Sequence, residues 1–128
     1  NVFYVNNKQK IIGKSKIPSN YIFQYNYTNK IPHPSILIKK QSLVEVGGYD
    51  GNDVCQDLRT WEKIIKNNYK IYFMNDYLTY MMIDEGRITG SKESRYQASI
   101  FYFQKFKKNK NLLTLFAFCR NYFKYLIK

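Results

Sequence analysis

Between Pro32 and Trp61, prolines and glycines, the most restricted and the most permissive backbone residues, punctuate the chain. Pro32 and Pro34 bracket His33 and push the chain toward an extended approach, because a proline clashes with a helical residue before it. Ser35-Ile36-Leu37-Ile38 follows as a short apolar run and reads as a buried strand. Residues 41–46 fit a helix of little more than one turn, ended by Gly47 in the usual glycine stop position. After a turn at Gly51-Asn52-Asp53, Leu58, Trp61, Ile64 and Ile65 recur on one helical face until Asn67-Asn68 ends it. Asp57 falls at the start of that helix, where the dipole favours a carboxylate.

The flanks fill in an α/β pattern. Two apolar runs, Val2-Phe3-Tyr4-Val5 and Ile11-Ile12, enclose an Asn-rich polar turn and predict a β-hairpin. Pro18-Ser19-Asn20 fits the start of a short helix reaching Tyr27. Residues 70–74 and 78–83 read as two short strands, residues 84–90 as a polar loop, and the chain turns helical from Ser91. Lys105, Lys107, Lys108 and Lys110 form a basic cluster before a last amphipathic stretch. There Leu112, Leu115, Phe116, Cys119, Tyr122, Phe123 and Leu126 share one face, opposite Thr114, Asn121, Lys124 and Lys128. A few strands covered by helices, with a helical C-terminus, is the expected architecture.

Size and composition narrow the function classes. A chain of 128 residues makes one domain at most, and an apolar fraction of 45% is enough to offset its ordering entropy. The net charge of +12 suits an anionic partner: nucleic acid, a membrane surface or a phosphorylated small molecule. Cys55 and Cys119 follow no metal-ligand spacing and read as free thiols of a reducing compartment. No signal peptide is visible, and residues 112–127 are interrupted by Arg120, Asn121 and Lys124, too polar to span a bilayer.

On spacing alone, Asp57 is open to two readings: a helix N-cap, or a general base held rigidly at a helix start. Gly47-Gly48 permits positive φ and close approach of backbone N–H groups to a ligand, and equally makes a tight turn. His33, the sole histidine, is either a structural residue between prolines or part of a site edge. Trp61 lies on the apolar face and reads as core, whereas Arg59 and Lys63 point elsewhere on the helix and read as solvated.

His33-Pro34-Ser35, Gly47-Gly48-Tyr49-Asp50 and Gln56-Asp57 with Trp61 resemble the acceptor-side half of family 2 glycosyltransferases, from about Val2 to about Lys107. These are inverting sugar transferases of GT-A (nucleotide-diphospho-sugar transferase) fold. The resemblance implies a partial GT-A fold, with residues 1–90 as the acceptor-side part of the catalytic domain and 91–128 as a basic amphipathic extension. It implies Asp57 as the base that deprotonates an acceptor hydroxyl. It also implies that His33, Gly48, Tyr49, Asp50 and Gln56 line the sugar site, with Tyr49 stacking on a pyranose face and Asp50 accepting its hydroxyls. Donor and acceptor would be a nucleotide sugar and a saccharide or lipid-linked saccharide of surface polysaccharide synthesis, at the inner face of the cell membrane.

Two departures stand out. Thr60 takes a position where Leu is usual, and Tyr80-Met81-Met82-Ile83-Asp84-Glu85 lacks the Arg and His that many relatives carry there. Asp84 is open to a role as an oxygen ligand or as a surface acid, and Arg87 can partly replace the missing cation. No Asp-X-Asp motif is present. The Mg²⁺ or Mn²⁺ of the family would therefore be held mainly by an N-terminal nucleotide-binding half. The chain, which starts at Asn1 already in a strand-like run, reads as a piece cut just after that motif and inactive alone.

A competing reading is a basic, aromatic-rich binding module. Nucleic acid is the weaker choice of partner, since no nucleic-acid motif appears and lysines spread along both ends. For residues 105–128 the alternatives are an anchor on an anionic membrane surface and a helix packed on its own domain with a solvated lysine face.

Overall fold

A computed structural model describes residues 1–15, 17, 25, 26, 28–51, 53–83 and 91–127. Their architecture is mixed α/β. In chain order it comprises β1 (Val2–Val5), β2 (Ile11–Lys14), a 3₁₀ turn (His33–Ser35), α1 (Lys40–Glu45), α2 (Gln56–Lys66), β3 (Thr79–Met82), α3 (Lys92–Asn109) and α4 (Leu112–Leu126). The expected helix from Pro18 and the loop holding Asp84, Glu85 and Arg87 lie outside the described residues, apart from Ile17, Tyr25 and Asn26.

The strands form one sheet of order β2-β1-β3, with β1 antiparallel to β2 and parallel to β3. The hairpin forms because Asn6 supplies its own turn: Oδ1 accepts from both Lys8 N and Lys10 N at 3.0 Å, and Gln9 adopts φ 58°. On the other side β1 pairs Val2 with Thr79 and Val5 with Met82, so residues distant in sequence meet at the central strand. Val2 and Val5, the buried residues of β1, stand three apart and face opposite sides of the sheet.

Both short-range helix stops follow the Schellman pattern. At the end of α1, Gly48 N donates to Leu43 O at 2.8 Å and Gly47 N to Val44 O at 2.9 Å, with φ at +83° for Gly47 and +66° for Gly48. At the end of α2, Tyr69 N donates to Ile64 O and Asn68 N to Ile65 O, and Asn68 takes φ 57°. A glycine pair and an asparagine occupy the positions where left-handed backbone costs them least.

Several expectations are corrected. Ser35-Ile36-Leu37-Ile38 is not a buried strand: Ser35 closes the 3₁₀ turn by donating its N–H to Pro32 O at 3.0 Å, and residues 36–38 run extended without a sheet partner. Ile36 and Ile38 pack on the core while Leu37 is fully exposed at 101%. The proposed strand at 70–74 is irregular chain that touches the core through Ile71 and leaves Tyr72 and Met74 exposed. Arg59 is not a solvated residue, since its guanidinium pairs with Asp53 and lies 5.8 Å from the centre of the Phe101 ring.

For α4 the sequence leaves open which face packs on the rest of the molecule. Its packing face is the one bearing Thr114 and Ala117, both fully buried, together with Phe118, whose ring lies 5.0 Å from Phe103 of α3. Small residues on both sides (Ser99 on α3 is also buried) let the two helices approach closely, and a longer side chain there would hold them apart. Leu112, Phe116, Cys119, Phe123 and Leu126, the face with the apolar pattern, turn outward.

One core unites the helices: Leu58, Trp61 and Ile64 of α2, Phe101 and Tyr102 of α3, and Ala117 of α4, together with Tyr25, Val46 and Cys55. Glu62 enters this region from α2 and receives Lys105 Nζ at 2.7 Å and Lys66 Nζ at 2.6 Å. Lys105 therefore belongs to the interior and not to the exposed basic cluster; its side chain is 8% exposed and lies 4.6 Å from the centre of the Tyr25 ring. Burial pushes the Glu62 carboxyl up, but the hydrogen bonds from Lys105 and Lys66 outweigh it and hold the group below its ordinary value of 4.5.

Glu62→Gln leaves Lys105 buried without its counter-charge and is expected to cost about 3–5 kcal/mol in urea unfolding. A carboxyl with a depressed folded pKa contributes fully above its unfolded value and loses that contribution as pH falls through the folded one. The urea midpoint of the unaltered chain should therefore drop below pH 4.5 more steeply than that of the Gln variant.

Candidate functional site

Where the sheet meets the start of α2, an open cleft of about 380 Å³ is lined by Tyr4, Lys14, Asn29, Lys30, His33, Asp57 and Met81. Each strand contributes one side chain: Tyr4 from β1, Lys14 from β2 and Met81 from β3. The 3₁₀ turn contributes His33, and the first turn of α2 contributes Asp57. Residues remote in sequence are thus gathered by the β1–β3 pairing and by the helix start.

Asp57 is not the helix cap. The N-cap position is Cys55, which offers no side-chain bond to the helix, and the entry is secured by Asp53. Asp53 accepts from Cys55 N at 2.8 Å through one carboxylate oxygen and binds Arg59 through the other. Asp57 lies one turn-position further in. Its Oδ1 accepts from Leu58 N at 2.7 Å, and its Oδ2 accepts from Asn29 Nδ2 at 3.1 Å. Asn29 is itself oriented, because its Oδ1 accepts from Ile31 N at 3.1 Å. A carboxylate oxygen has two acceptor sites, so each oxygen of Asp57 keeps one for a ligand in the cleft.

Beside the carboxylate stands an aromatic cluster. The His33 ring lies 5.1 Å from Tyr49 and 5.9 Å from Trp61, and Tyr49 meets Trp61 edge to face at 6.2 Å. Partial burial, and then the nearby Asp57 charge, push the Tyr49 phenol up, so its hydroxyl stays a donor at neutral pH. Trp61 is buried at 2% exposure and packs in the core as its spacing predicts; among the described residues its Nε1 has no hydrogen-bond partner.

His33, Tyr49 and Asp57 are thus brought together. Gly48 is attached less directly, through its carbonyl, which lies 3.5 Å from the Thr60 hydroxyl. Gln56 begins α2 and accepts from the same hydroxyl at 2.8 Å through its backbone carbonyl, but does not line the cleft. Asp50 is exposed on the loop and does not line it either.

Three residues of this region were not singled out for a role by sequence reasoning. Asn29 precedes Asp57 by a long stretch of chain and belongs to no motif, so only folding reveals their contact. Lys14 ends an exposed strand and looks like any surface lysine. Thr60 did carry a signal, as the residue standing where Leu is usual, and the structure supplies its reason: a leucine could not bridge the Gln56 and Gly48 carbonyls.

The chemistry available here is that of one carboxylate in a cationic setting. Lys14 and Lys30 suit an anionic ligand and disfavour a divalent cation. Among the described residues no three His, Cys, Asp or Glu side chains gather as a ligand set. Among the described residues this cleft therefore supplies no ligand set for Mg²⁺ or Mn²⁺, whose ligands the resemblance assigns mainly to an N-terminal half. Cys55 offers no nucleophile, because burial, with Asp53 and Asp57 adding to it, raises its thiol to about 12. A second cleft of about 390 Å³, along Ile65, Tyr69, Ile71 and Phe73, carries no carboxylate.

Comparison with protein-family models, with curated proteins and with solved structures finds no match to this chain.

Two outcomes follow from this geometry. Gly48→Ala has open space for its methyl group but must hold φ +66°, so it should cost about 1–2 kcal/mol, read from thermal or urea unfolding. In the folded chain only Cys119 should react promptly with a thiol reagent, and Cys55 should react after unfolding.

Proposed function

We propose that this chain is the acceptor-side part of an inverting sugar transferase, similar to family 2 glycosyltransferases, with Asp57 as the general base. The observation that carries the reading is the Asp57 carboxylate. It is set in the first turn of α2, where one oxygen accepts from Leu58 N and the other is oriented by Asn29, and it opens to a cleft that also holds His33. In this reading an acceptor hydroxyl hydrogen-bonds to Asp57. As its oxygen attacks the anomeric carbon, the proton passes to the carboxylate and the bond from that carbon to the nucleoside diphosphate breaks on the opposite face. Holding both reactants in line supplies much of the rate.

The His33 and Tyr49 rings suit the apolar face of a pyranose, with the Tyr49 hydroxyl as a donor at its edge. Lys14 and Lys30 suit the charge of a departing diphosphate. Asp50 and Gln56 fit the reading as acceptor contacts made from outside the cleft. A nucleotide-binding half, carrying the ligands for Mg²⁺ or Mn²⁺, completes the GT-A fold in this proposal. The acceptor is a saccharide or lipid-linked saccharide of the cell envelope.

The test is release of nucleoside diphosphate from a panel of nucleotide sugars with Mn²⁺, by the polypeptide that joins this chain to such a half. Water replaces the unknown acceptor. Asp57→Asn should lower turnover by about 10²–10⁴-fold with donor binding retained. Equal turnover by the two forms would return Asp57 to a purely structural role in α2.

A further inference from the structure

The outward face of α4 presents Leu112 at 76% exposure, Phe116 at 61%, Phe123 at 63%, Leu126 at 58% and Ile127 at 68%. Cys119 sits among them, also exposed. The opposite face, Thr114 and Ala117, is fully buried against the rest of the molecule. A helix in a water-soluble domain ordinarily turns its apolar stripe inward. Here Thr114, Ala117 and Phe118 face in while Leu112, Phe116, Phe123 and Leu126 face out, so the stripe is built for something other than this chain's own core. A contiguous exposed apolar face of this kind marks an interaction surface.

The charge around it identifies the occupant. From Ser94 to Lys128 the sequence contains no acidic residue, while Lys107, Lys108 and Lys110 are exposed at the α3–α4 junction. Lys107 lies 5.2 Å from the centre of the Phe103 ring and Lys110 5.8 Å from that of Phe106, so cation and ring are presented together. A second copy of the chain would set these lysines against their own kind. The exposed stripe of Leu112, Phe116, Phe123, Leu126 and Ile127 has no side-chain donor or acceptor with which to read a directional partner. An apolar face rimmed by lysines is the chemistry of a helix lying in the boundary between anionic headgroups and acyl chains. No helix among the described residues is long and apolar enough to cross a membrane, and a surface-lying helix does not need to be.

We propose that α4 docks this protein on an anionic phospholipid surface. Phe116, Phe123 and Leu126 enter the acyl boundary, and Lys107, Lys108 and Lys110 engage the headgroups. The proposal stands on the orientation of α4 and is independent of the role of Asp57.

The test is flotation of the 128-residue chain with vesicles of phosphatidylcholine alone and of phosphatidylcholine mixed equally with phosphatidylglycerol. Binding should be confined to the anionic vesicles and should be lost at high salt, where headgroup attraction is screened. Lys107→Gln/Lys108→Gln/Lys110→Gln should weaken it on the order of 100-fold at low salt, at roughly fivefold per lysine. Phe116→Ser/Phe123→Ser should abolish it with the circular dichroism and Trp61 emission of the fold unchanged, since both rings are exposed. Cys119 should also become protected from a charged maleimide on binding. The proposal is overturned by equal binding to neutral vesicles, by a Phe variant that still floats, or by unchanged Cys119 reactivity on vesicles. Concentration-dependent self-association that disappears in the Phe variant, without vesicle binding, would instead assign the face to a second copy.

Discussion

Glu62 sits where α2, α3 and the Tyr25 segment meet, and its carboxylate is what permits Lys105 to be there at all. A buried lysine without a counter-charge would be expelled or neutralised, and α3 would have to rotate away from α2. With the pair in place, α3 is pinned by charge at one position and by Phe101 and Tyr102 at the neighbouring ones. Arg59 and Asp53 make a second tie, which fixes the start of α2 against Phe101. The carboxylate of Asp57 borrows its rigidity from both: its own helix is anchored at the entry by Asp53 and mid-length by Glu62.

Local signals in the sequence were reliable where the backbone itself was the message. Gly47-Gly48 and Asn67-Asn68 end helices, Asn6 makes a hairpin turn, and the Leu58–Trp61–Ile64 spacing buries one side of α2, all as the residue chemistry demands. Signals failed where the outcome depends on a partner. The run Ile36-Leu37-Ile38 has strand composition, but among the described residues it pairs with no strand, and a 3₁₀ turn that includes Pro34 replaces the expected extended approach at its start. The α4 pattern identified two faces correctly but could not say which one the rest of the molecule would cover, and packing chose the small residues.

The candidate site divides in the same way. Asp57, His33 and Tyr49 come from motifs; His33 and Asp57 line one cleft, and the His33 and Tyr49 rings meet over Trp61 with the Tyr49 phenol in reach of the Asp57 charge. Asn29 and Lys14 could not be read in advance, because their proximity to Asp57 is created by tertiary structure. Asp50 and Gln56 share the motif's sequence neighbourhood without sharing its cleft. Adjacency along a loop and at a helix start says little about which way a side chain ends up facing.

The parallel ladder between β1 and β3 carries a consequence for biosynthesis. Val2–Val5 leaves the ribosome well before its second neighbour, Thr79–Met82, has been made. Until then β1 can close only its hairpin with β2, and its other edge stays unpaired. Such an edge invites pairing with other nascent chains, and the long loop must be closed against its entropy before the ladder forms. The helical hairpin of α3 and α4, assembled from sequence-local contacts, should by contrast zip as soon as it emerges. Translation speed across residues 15–78 therefore sets how long this protein spends in its most adhesive form.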